Sequence, residues 1–108
     1  MTFHIITIFP EIFDSYFNES ILGRAQKEGK IKIDIINLSD YTNDKHKTVD
    51  YTPFGGGAGM LLKIEPLYKA IQSLKSKIKN QKSKVILLSA KGQKWNQGLA
   101  KSYAKYLD

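Results

Sequence analysis

Apolar residues concentrate in three short stretches of the chain, each with the length and composition of a β-strand. Residues 3–9 (FHIITIF) and 84–90 (KVILLSA) are nearly continuous apolar runs, and residues 30–38 (KIKIDIINL) alternate with polar residues before becoming apolar. Short runs of this kind, rich in Ile, Val and Leu, are typical of strands buried on both faces, as in parallel sheets. The pattern therefore predicts three strands of a parallel sheet.

The segments between these strands have mostly helical periodicity. Helices are predicted from Pro10 to Phe17, from a cap at Ser20 to a stop at Gly29, from Pro66 onwards, and over residues 96–107. Proline suits a first helical turn, serine caps helices and glycine ends them. Residues 39–59 lack periodicity and are predicted to form a long polar loop, a feature that in compact domains is usually functional or disordered. The order of elements predicts an α/β fold, a parallel sheet with helices on both faces.

Composition narrows the class of protein. The chain has 108 residues, 42% hydrophobic and 25% charged, which suits one small globular domain. It has no apolar run of about 18 residues, so we expect no membrane span. The absence of cysteine excludes disulfides and thiolate metal sites and fits a reducing cytoplasm. With only two histidines, far apart in sequence, we expect no metal site.

Charge is unevenly distributed along the chain. Residues 1–65 carry seven basic and nine acidic residues, whereas residues 66–108 carry ten lysines and one acid, for a total of +7. One interpretation is a solvated, lysine-rich surface. The functional interpretation is a polyanionic partner, most often nucleic acid. Arg24 is the one arginine among seventeen basic residues, which favours attraction to phosphates over bidentate reading of bases.

The polar loop holds the most unusual stretch, the charged DKHKTVD of residues 44–50 followed by the glycine-rich PFGGGAGM of residues 53–60. A cluster of glycines indicates close approach of the backbone to a ligand, and its N–H groups can face an anion or a planar ring. The neighbouring lysines can hold phosphates. His46 and Asp50 can hydrogen-bond base edges or position a reactive group.

Known nucleotide-binding motifs do not account for this loop. A phosphate-binding P-loop needs Lys and then Ser or Thr after its last glycine, but Met60 and Leu61 follow Gly59. The dinucleotide fingerprint fails because Met60 stands at its third glycine position. A flexible linker is a further alternative, although linkers seldom carry apolar residues such as Phe54 on their flanks.

The stretch DKHKTVDYTPFGGGAGM, residues 44–60, resembles the signature loop of bacterial tRNA guanine-1-methyltransferases. Other segments are similar to the family as well, in the family's order: IITIFPEIF, GRAQKEG, INLSDYT, EPLYKAI and VILLSAKGQ. The chain is therefore identified as a member of this family, which belongs to the SPOUT superfamily of knotted methyltransferases. The resemblance covers the whole chain, residues 1–108, as the N-terminal portion of the methyltransferase domain. The resemblance implies that the knot-closing segment and the C-terminal tRNA-binding domain are absent from these residues, and we expect both to lie beyond residue 108.

The resemblance implies a reaction, a cofactor and partners. Family members transfer a methyl group from S-adenosylmethionine to N1 of the guanosine just 3′ of the anticodon in tRNA, as cytoplasmic homodimers. It also implies site residues. In the family, the signature loop contacts the target guanosine, and the matching positions here are His46, Asp50, Gly55, Gly56, Gly57 and Gly59. The first wall of the methyl-donor pocket corresponds to Leu88, Ser89 and Ala90.

The same resemblance places the general base on an aspartate of the C-terminal domain, beyond this chain. We therefore expect no catalytic residue within these residues, and Asp50 is expected to orient the substrate. The chain alone is expected to be inactive. Two alternatives from other classes stay open: a non-catalytic RNA-binding module from a truncated gene product, and an anion-binding scaffold protein. The RNA-binding module would depend on the lysine-rich run of residues 75–84, with Lys75, Lys77, Lys79 and Lys82.

Overall fold

The structure is a computed structural model that describes residues 1–42, 50–51, 61–78 and 82–106, with the backbone alone described for Asp50, Tyr51, Leu61 and Tyr106. Its described part is an α/β arrangement in which a parallel pair of strands is followed by short helices and one longer helix. This confirms the predicted α/β class and the parallel pairing of the first two strands.

Strands β1 (Thr2–Thr7) and β2 (Lys32–Asn37) form a parallel pair in continuous register from Thr2 opposite Lys32 to Thr7 opposite Asn37. Isoleucines face one another in both strands, with Ile5 opposite Ile35. β-branched side chains favour the pleated backbone, and paired neighbours on one face stabilise the sheet. The half-buried isoleucines therefore fix this pair.

The connection from β1 to β2 is helical. A 3₁₀ turn (Pro10–Phe13) leads into α1 (Asp14–Phe17), where the rings of Phe13 and Phe17 stack at 5.3 Å. Helix α2 (Ser20–Lys27) follows and ends before Gly29, whose φ of 72° is the left-handed value typical of a C-terminal glycine. The predicted stop at Gly29 is confirmed.

The predicted cap at Ser20 is wrong. Glu19 is the N-cap residue of α2, it makes no side-chain cap, and Ser20 is the first helical residue with a φ of 54°. The short turn between α1 and α2 requires this left-handed backbone, which is rare for a residue other than glycine. The Gln26 amide donates to the carbonyl oxygens of Phe17 and Leu22, so it joins the two helices.

The buried centre lies where the chain after β2 meets the longest helix, α3 (Ile64–Lys77). Leu38, in a 3₁₀ turn (Leu38–Tyr41), is 2% exposed, and Ala70 of α3 is fully buried. The hydroxyl groups of Tyr41 and Ser73 lie 3.3 Å apart and join the same two elements. As predicted, proline stands in the first turn of α3, which begins two residues before it.

A further pair of strands and a last helix complete the described fold. Strands β3 (Asp50–Tyr51) and β4 (Leu61–Leu62) pair in antiparallel fashion, a feature that the sequence did not predict within the polar loop. Helix α4 (Gln97–Tyr103) continues into a 3₁₀ turn (Ala104–Tyr106) and confirms the last predicted helix.

The predicted third strand over residues 84–90 is wrong for the described structure. Residues 82–89 form neither helix nor strand, and a turn begins at Ala90. A strand exists only when its backbone N–H and C=O groups pair with a neighbour. Both strand pairs that the structure describes involve other residues, so the apolar pattern has no partner here.

Candidate functional site

The ends of the glycine-rich stretch are brought together by the β3–β4 pair. Tyr51 lies opposite Leu61 and Asp50 opposite Leu62, so residues 52–60 connect two adjacent backbone positions. This places the backbone of Asp50 at the base of the predicted substrate loop. The predicted residues His46, Gly55, Gly56, Gly57 and Gly59 lie outside the described residues.

The predicted donor-pocket wall, Leu88 to Ala90, lies at a tight turn. The Ser89 carbonyl oxygen accepts a hydrogen bond from the Gly92 N–H at 3.1 Å, and its hydroxyl accepts one from the Lys91 N–H at 3.2 Å. A Cβ at Gly92 would lie 3.2 Å from that carbonyl oxygen, so the turn favours glycine. Two polar groups of Ser89 thus hold the turn, and the Leu88 side chain is 90% exposed.

A polar cleft that the sequence analysis missed lies beside the parallel strands. Its volume is about 240 Å³, and it is lined among others by His4, Asp34, Asp40, Tyr41 and Lys77. The His4 Nδ1 and Asp34 Oδ2 atoms lie 3.0 Å apart across the strands. The apolar run of residues 3–9 predicts that His4 is packed in a strand, but 27% of the surface of its side chain is exposed.

One signal in the sequence could have found this pair. Each of the two strands has a titratable residue within an otherwise apolar run, and parallel register places the two residues opposite each other. The cleft brings together none of the predicted site residues. The most direct role of the residues that line the cleft is structural. The His4–Asp34 pair joins β1 to β2, and the Asn37 side chain accepts a hydrogen bond from the Ser39 N–H at the carboxyl end of β2.

The predicted lysine surface is divided in the structure. Lys75 and Lys77 are exposed near the end of α3, and Lys82 and Lys84 follow in the irregular segment, while Lys79 lies outside the described residues. Lysine near a helix C-terminus also complements the helix dipole, which is a structural reason for this placement. Lys69, on the same helix, pairs with Glu65 at 3.0 Å.

A basic aromatic cluster adjoins the C-terminal helix. The rings of Trp95 and Tyr103 lie 5.4 Å apart, and the Lys84 Nζ atom lies 4.9 Å from the centre of the Tyr103 ring. The Asn96 side chain accepts from the Leu99 N–H at 2.9 Å and caps α4. The cation–π contact attaches Lys84 to α4, and the Asn96 cap stabilises the first turn of that helix.

Two classes of site are not found among the residues that the structure describes. These residues contain no group of three or more His, Asp or Glu side chains that could hold a metal ion. No helix in the described ranges is long and apolar enough to cross a membrane.

Comparisons with known proteins give one family. The family model of tRNA (guanine-1)-methyltransferase TrmD matches residues 1–107. Curated relatives named tRNA (guanine-N(1)-)-methyltransferase include the protein of Dictyoglomus turgidum, 50% identical over 94% of this chain, and that of Clostridioides difficile, 46% identical over 94%. The crystal structure of the tRNA (m1G37) methyltransferase from Aquifex aeolicus is similar over 97% of this chain, with 30% identity and a TM-score of 0.76.

These relatives are considerably longer than the chain. The matched stretch is 40% of the Dictyoglomus protein, 44% of the Clostridioides protein and 46% of the Aquifex chain. The match nevertheless runs almost from end to end of this chain and includes the segments on which the resemblance was based. The chain belongs to the tRNA (guanine-1)-methyltransferase family.

Proposed function

We propose that the chain is the N-terminal portion of an enzyme that methylates N1 of guanosine in tRNA. The observation that carries this proposal is the family match over residues 1–107. Relatives that are 46–50% identical are named for that reaction. Because the chain spans about 40% of the length of these relatives, the activity belongs to the longer protein, and the chain alone is inactive.

The proposed substrate-binding residues are His46, Asp50, Gly55, Gly56, Gly57 and Gly59. Support comes from the β3–β4 pair, which closes the base of the loop and holds Asp50 next to it. A guanine that reacts at N1 leaves its stack and enters a close-fitting pocket, at a cost of a few kcal/mol. Glycines let the backbone approach the flat base, and the adjacent lysines offset phosphate charge.

The proposed methyl donor is S-adenosylmethionine, with Leu88, Ser89 and Ala90 as the first wall of its pocket. The turn at Ser89 supports this assignment, because it leaves an exposed apolar edge at Leu88 against which an adenosine can lie. Guanine N1 carries a proton, so a general base has to remove it as the methyl group is transferred. That general base lies outside these residues. Asp50 orients the guanine of the substrate.

The remaining family properties are part of the same proposal. The longer protein forms a SPOUT-type trefoil knot, closed by a segment beyond residue 108, followed by a C-terminal tRNA-binding domain. It acts as a homodimer in the cytoplasm. The similarity to the Aquifex structure supports the shared fold of the N-terminal portion.

The test is a fusion of residues 1–107 to the part of the Dictyoglomus relative that lies outside the matched stretch. Incubated with labelled S-adenosylmethionine and tRNA, the fusion should form 1-methylguanosine, identified after digestion to nucleosides. A tRNA with adenosine in place of the target guanosine should not be labelled. A folded fusion that forms no 1-methylguanosine would contradict the proposal.

A His46→Ala fusion tests the loop assignment, with His4→Ala as the matched histidine control. For His46→Ala, loss of an orienting hydrogen bond of about 1–3 kcal/mol should lower kcat/KM by roughly 5- to 150-fold. His4→Ala should leave kcat/KM nearly unchanged.

A second candidate is a non-catalytic RNA-binding module, favoured by the net charge of +9 in residues 66–108. Under that function, His46→Ala would leave discrimination of the target site and tRNA affinity intact. Loss of discrimination in the fusion supports the enzyme instead.

A further inference from the structure

The tryptophan that precedes α4 is held in place and still largely open. The Trp95 and Tyr103 rings lie 5.4 Å apart at an interplanar angle of 57°, and 59% of the Trp95 surface is exposed. Asn96, the next residue, caps the first turn of α4 by accepting a hydrogen bond from the Leu99 N–H. The cap and the neighbouring ring thus position Trp95, and the contact with Tyr103 leaves more than half of Trp95 uncovered.

Packing accounts for only part of this arrangement. A tilted pair of aromatic rings stabilises the start of a helix, which is a structural reason for an aromatic residue before α4. An isolated exposed apolar residue needs no functional explanation. Trp95 is not isolated in this sense, because a lysine ammonium group and further exposed lysines accompany the two rings.

The surroundings of Trp95 are uniformly basic. Residues 82–106 contain six lysines and no acidic residue, and all six lysines are exposed. The Lys84 Nζ atom lies 4.9 Å from the centre of the Tyr103 ring, and Lys94 directly precedes Trp95 in sequence. Like charges in one segment repel each other, and a polyanion relieves this repulsion. Charge complementarity therefore favours a polyanionic partner at this cluster.

Aromatic rings among lysines are the arrangement with which proteins bind single-stranded nucleic acid. Bases stack on the rings, and the cations follow the phosphates. We propose that Trp95 is a stacking site for an unpaired base of RNA, with Lys84 and Lys94 attracting the adjacent phosphates. The choice of RNA rests on the proposed function. The site itself lies outside both the proposed substrate loop and the proposed donor-pocket wall.

Two other partners fit the cluster less well. Double-stranded RNA keeps the faces of its bases within the stack, so it offers no ring face to Trp95. An anionic membrane surface is bound by helices with an exposed apolar face. Helix α4 has seven residues, and its apolar residues Leu99 and Ala100 are half-buried. Unpaired RNA is therefore the partner that uses both the open ring and the lysines.

The test uses the fluorescence of Trp95, which is the one tryptophan of the 108-residue chain. Titration with hexauridylate in dilute salt should quench this emission, because a stacked base quenches an indole ring. A hexamer with abasic sugars has the same phosphates without bases and should leave the emission nearly unchanged. Uracil is neither the target guanine nor the adenine of the proposed methyl donor, so the signal does not depend on either proposed pocket.

Variants separate stacking from attraction to phosphates, with affinity measured by anisotropy of labelled hexauridylate. Trp95→Ala should weaken binding by roughly 5- to 150-fold, to the affinity of the abasic hexamer, since it removes the stacked contact. Trp95→Phe keeps a ring against Tyr103 and should weaken binding less. Tyr16→Ala removes an aromatic side chain that is 75% exposed in the acidic half of the chain, and as the control it should leave binding unchanged.

A charge variant tests the role of the lysine beside the rings. Lys84→Gln should weaken binding of hexauridylate and of the abasic hexamer by the same factor. It should also reduce the slope of log K against log salt by about 0.7, the value for one phosphate of a single strand.

Three outcomes would overturn the inference. The abasic hexamer could quench Trp95 as strongly as hexauridylate. Trp95→Ala could bind hexauridylate as tightly as the original chain. Phosphatidylserine vesicles could shift the Trp95 emission to shorter wavelength while hexauridylate leaves it unchanged, which would make a membrane surface the partner. None of these measurements uses a methyl donor or a guanosine, so the stacking site and the proposed reaction can fail separately.

Discussion

Gly23 of α2 lies directly against the main chain of Asn18. A Cβ atom at Gly23 would lie 2.7 Å from the Asn18 carbonyl oxygen and 2.9 Å from its carbonyl carbon. Both atoms belong to the backbone, so no side chain can rotate away. Gly23 is also the buried residue of this helix, and its N–H donates to the Glu19 carbonyl oxygen at 3.0 Å. The glycine lets the turn between α1 and α2 fold back onto the helix.

Gly23→Ala should therefore destabilise the chain. Overpacking costs about 1–3 kcal/mol, against a gain of about 0.5–1 kcal/mol from replacing glycine within a helix. We expect a net loss of free energy of unfolding in urea denaturation. Lys27→Ala, an exposed change in the same helix, is the control and should be nearly neutral. Equal or higher stability of Gly23→Ala would show that the turn can shift to accept a methyl group.

The contact between His4 and Asp34 should give a small favourable coupling. The two side chains lie directly opposite in adjacent strands and are 27% and 45% exposed, so solvent screens their interaction. A double-mutant cycle with His4→Ala and Asp34→Ala should give a coupling energy of about 0.2–1 kcal/mol in urea denaturation. Additive effects of the two changes would mean that the contact adds nothing to the pairing of β1 and β2.

Binding of tRNA should depend on salt through the lysines near the end of α3. Each phosphate that a lysine neutralises contributes about 0.7–0.9 to the slope of log K against log salt. Lys75→Ala combined with Lys77→Ala should therefore reduce that slope by roughly 1–2. The control pair Lys27→Ala and Lys30→Ala, in the acidic half of the chain, should leave it unchanged. A slope that is already flat in the original chain would identify the lysines as a solvated surface.

S-adenosylmethionine should give no binding heat when titrated into the 108-residue chain at millimolar concentration. The carbonyl and hydroxyl oxygens of Ser89 already accept hydrogen bonds within the turn, and the Leu88 side chain is exposed. The described residues therefore form one wall of the proposed donor pocket and no wall facing it. Small-molecule sites usually bury most of their ligand. Calorimetry that detects micromolar affinity would show that the turn suffices or that another copy of the chain completes the pocket.

Local sequence signals predicted the elements that depend on local contacts. The proline in the first turn of α3 and the glycine after α2 act over a few residues, and the structure confirms both. The apolar runs of β1 and β2 also predicted their strands correctly, because these two runs find each other as partners in the sheet. Ser20 misled the prediction because the tight turn, and not the capping preference of serine, determines its backbone. The strand predicted over residues 84–90 failed for a different reason. An apolar pattern of this kind is typical of a buried strand that is paired with its neighbours. The pattern does not reveal whether a neighbouring strand is available.

The candidate site was predicted mainly from the resemblance of its loop. Periodicity indicated only a polar loop, so the β3–β4 pair at its base was missed, because two-residue strands carry too few positions for a pattern. The His4–Asp34 pair was missed because it depends on register between strands that are distant in sequence. Predictions for His46 and the loop glycines stay predictions, and so do the roles of Asp50 and of Leu88 to Ala90.

The exposed apolar residues Val85 to Leu88, within the irregular segment of residues 82–89, also affect the solubility of the protein. A short run of β-forming residues with low charge is the kind of sequence that starts aggregation when it is exposed, and lysines at its borders act as gatekeepers. Lys84 and Lys91 stand at these borders and keep neighbouring molecules apart by repulsion. Salt screens that repulsion. Concentrated stocks of this chain should therefore stay clear in dilute buffer and become turbid as sodium chloride is added, the opposite of a protein whose solubility is limited by attraction between opposite charges.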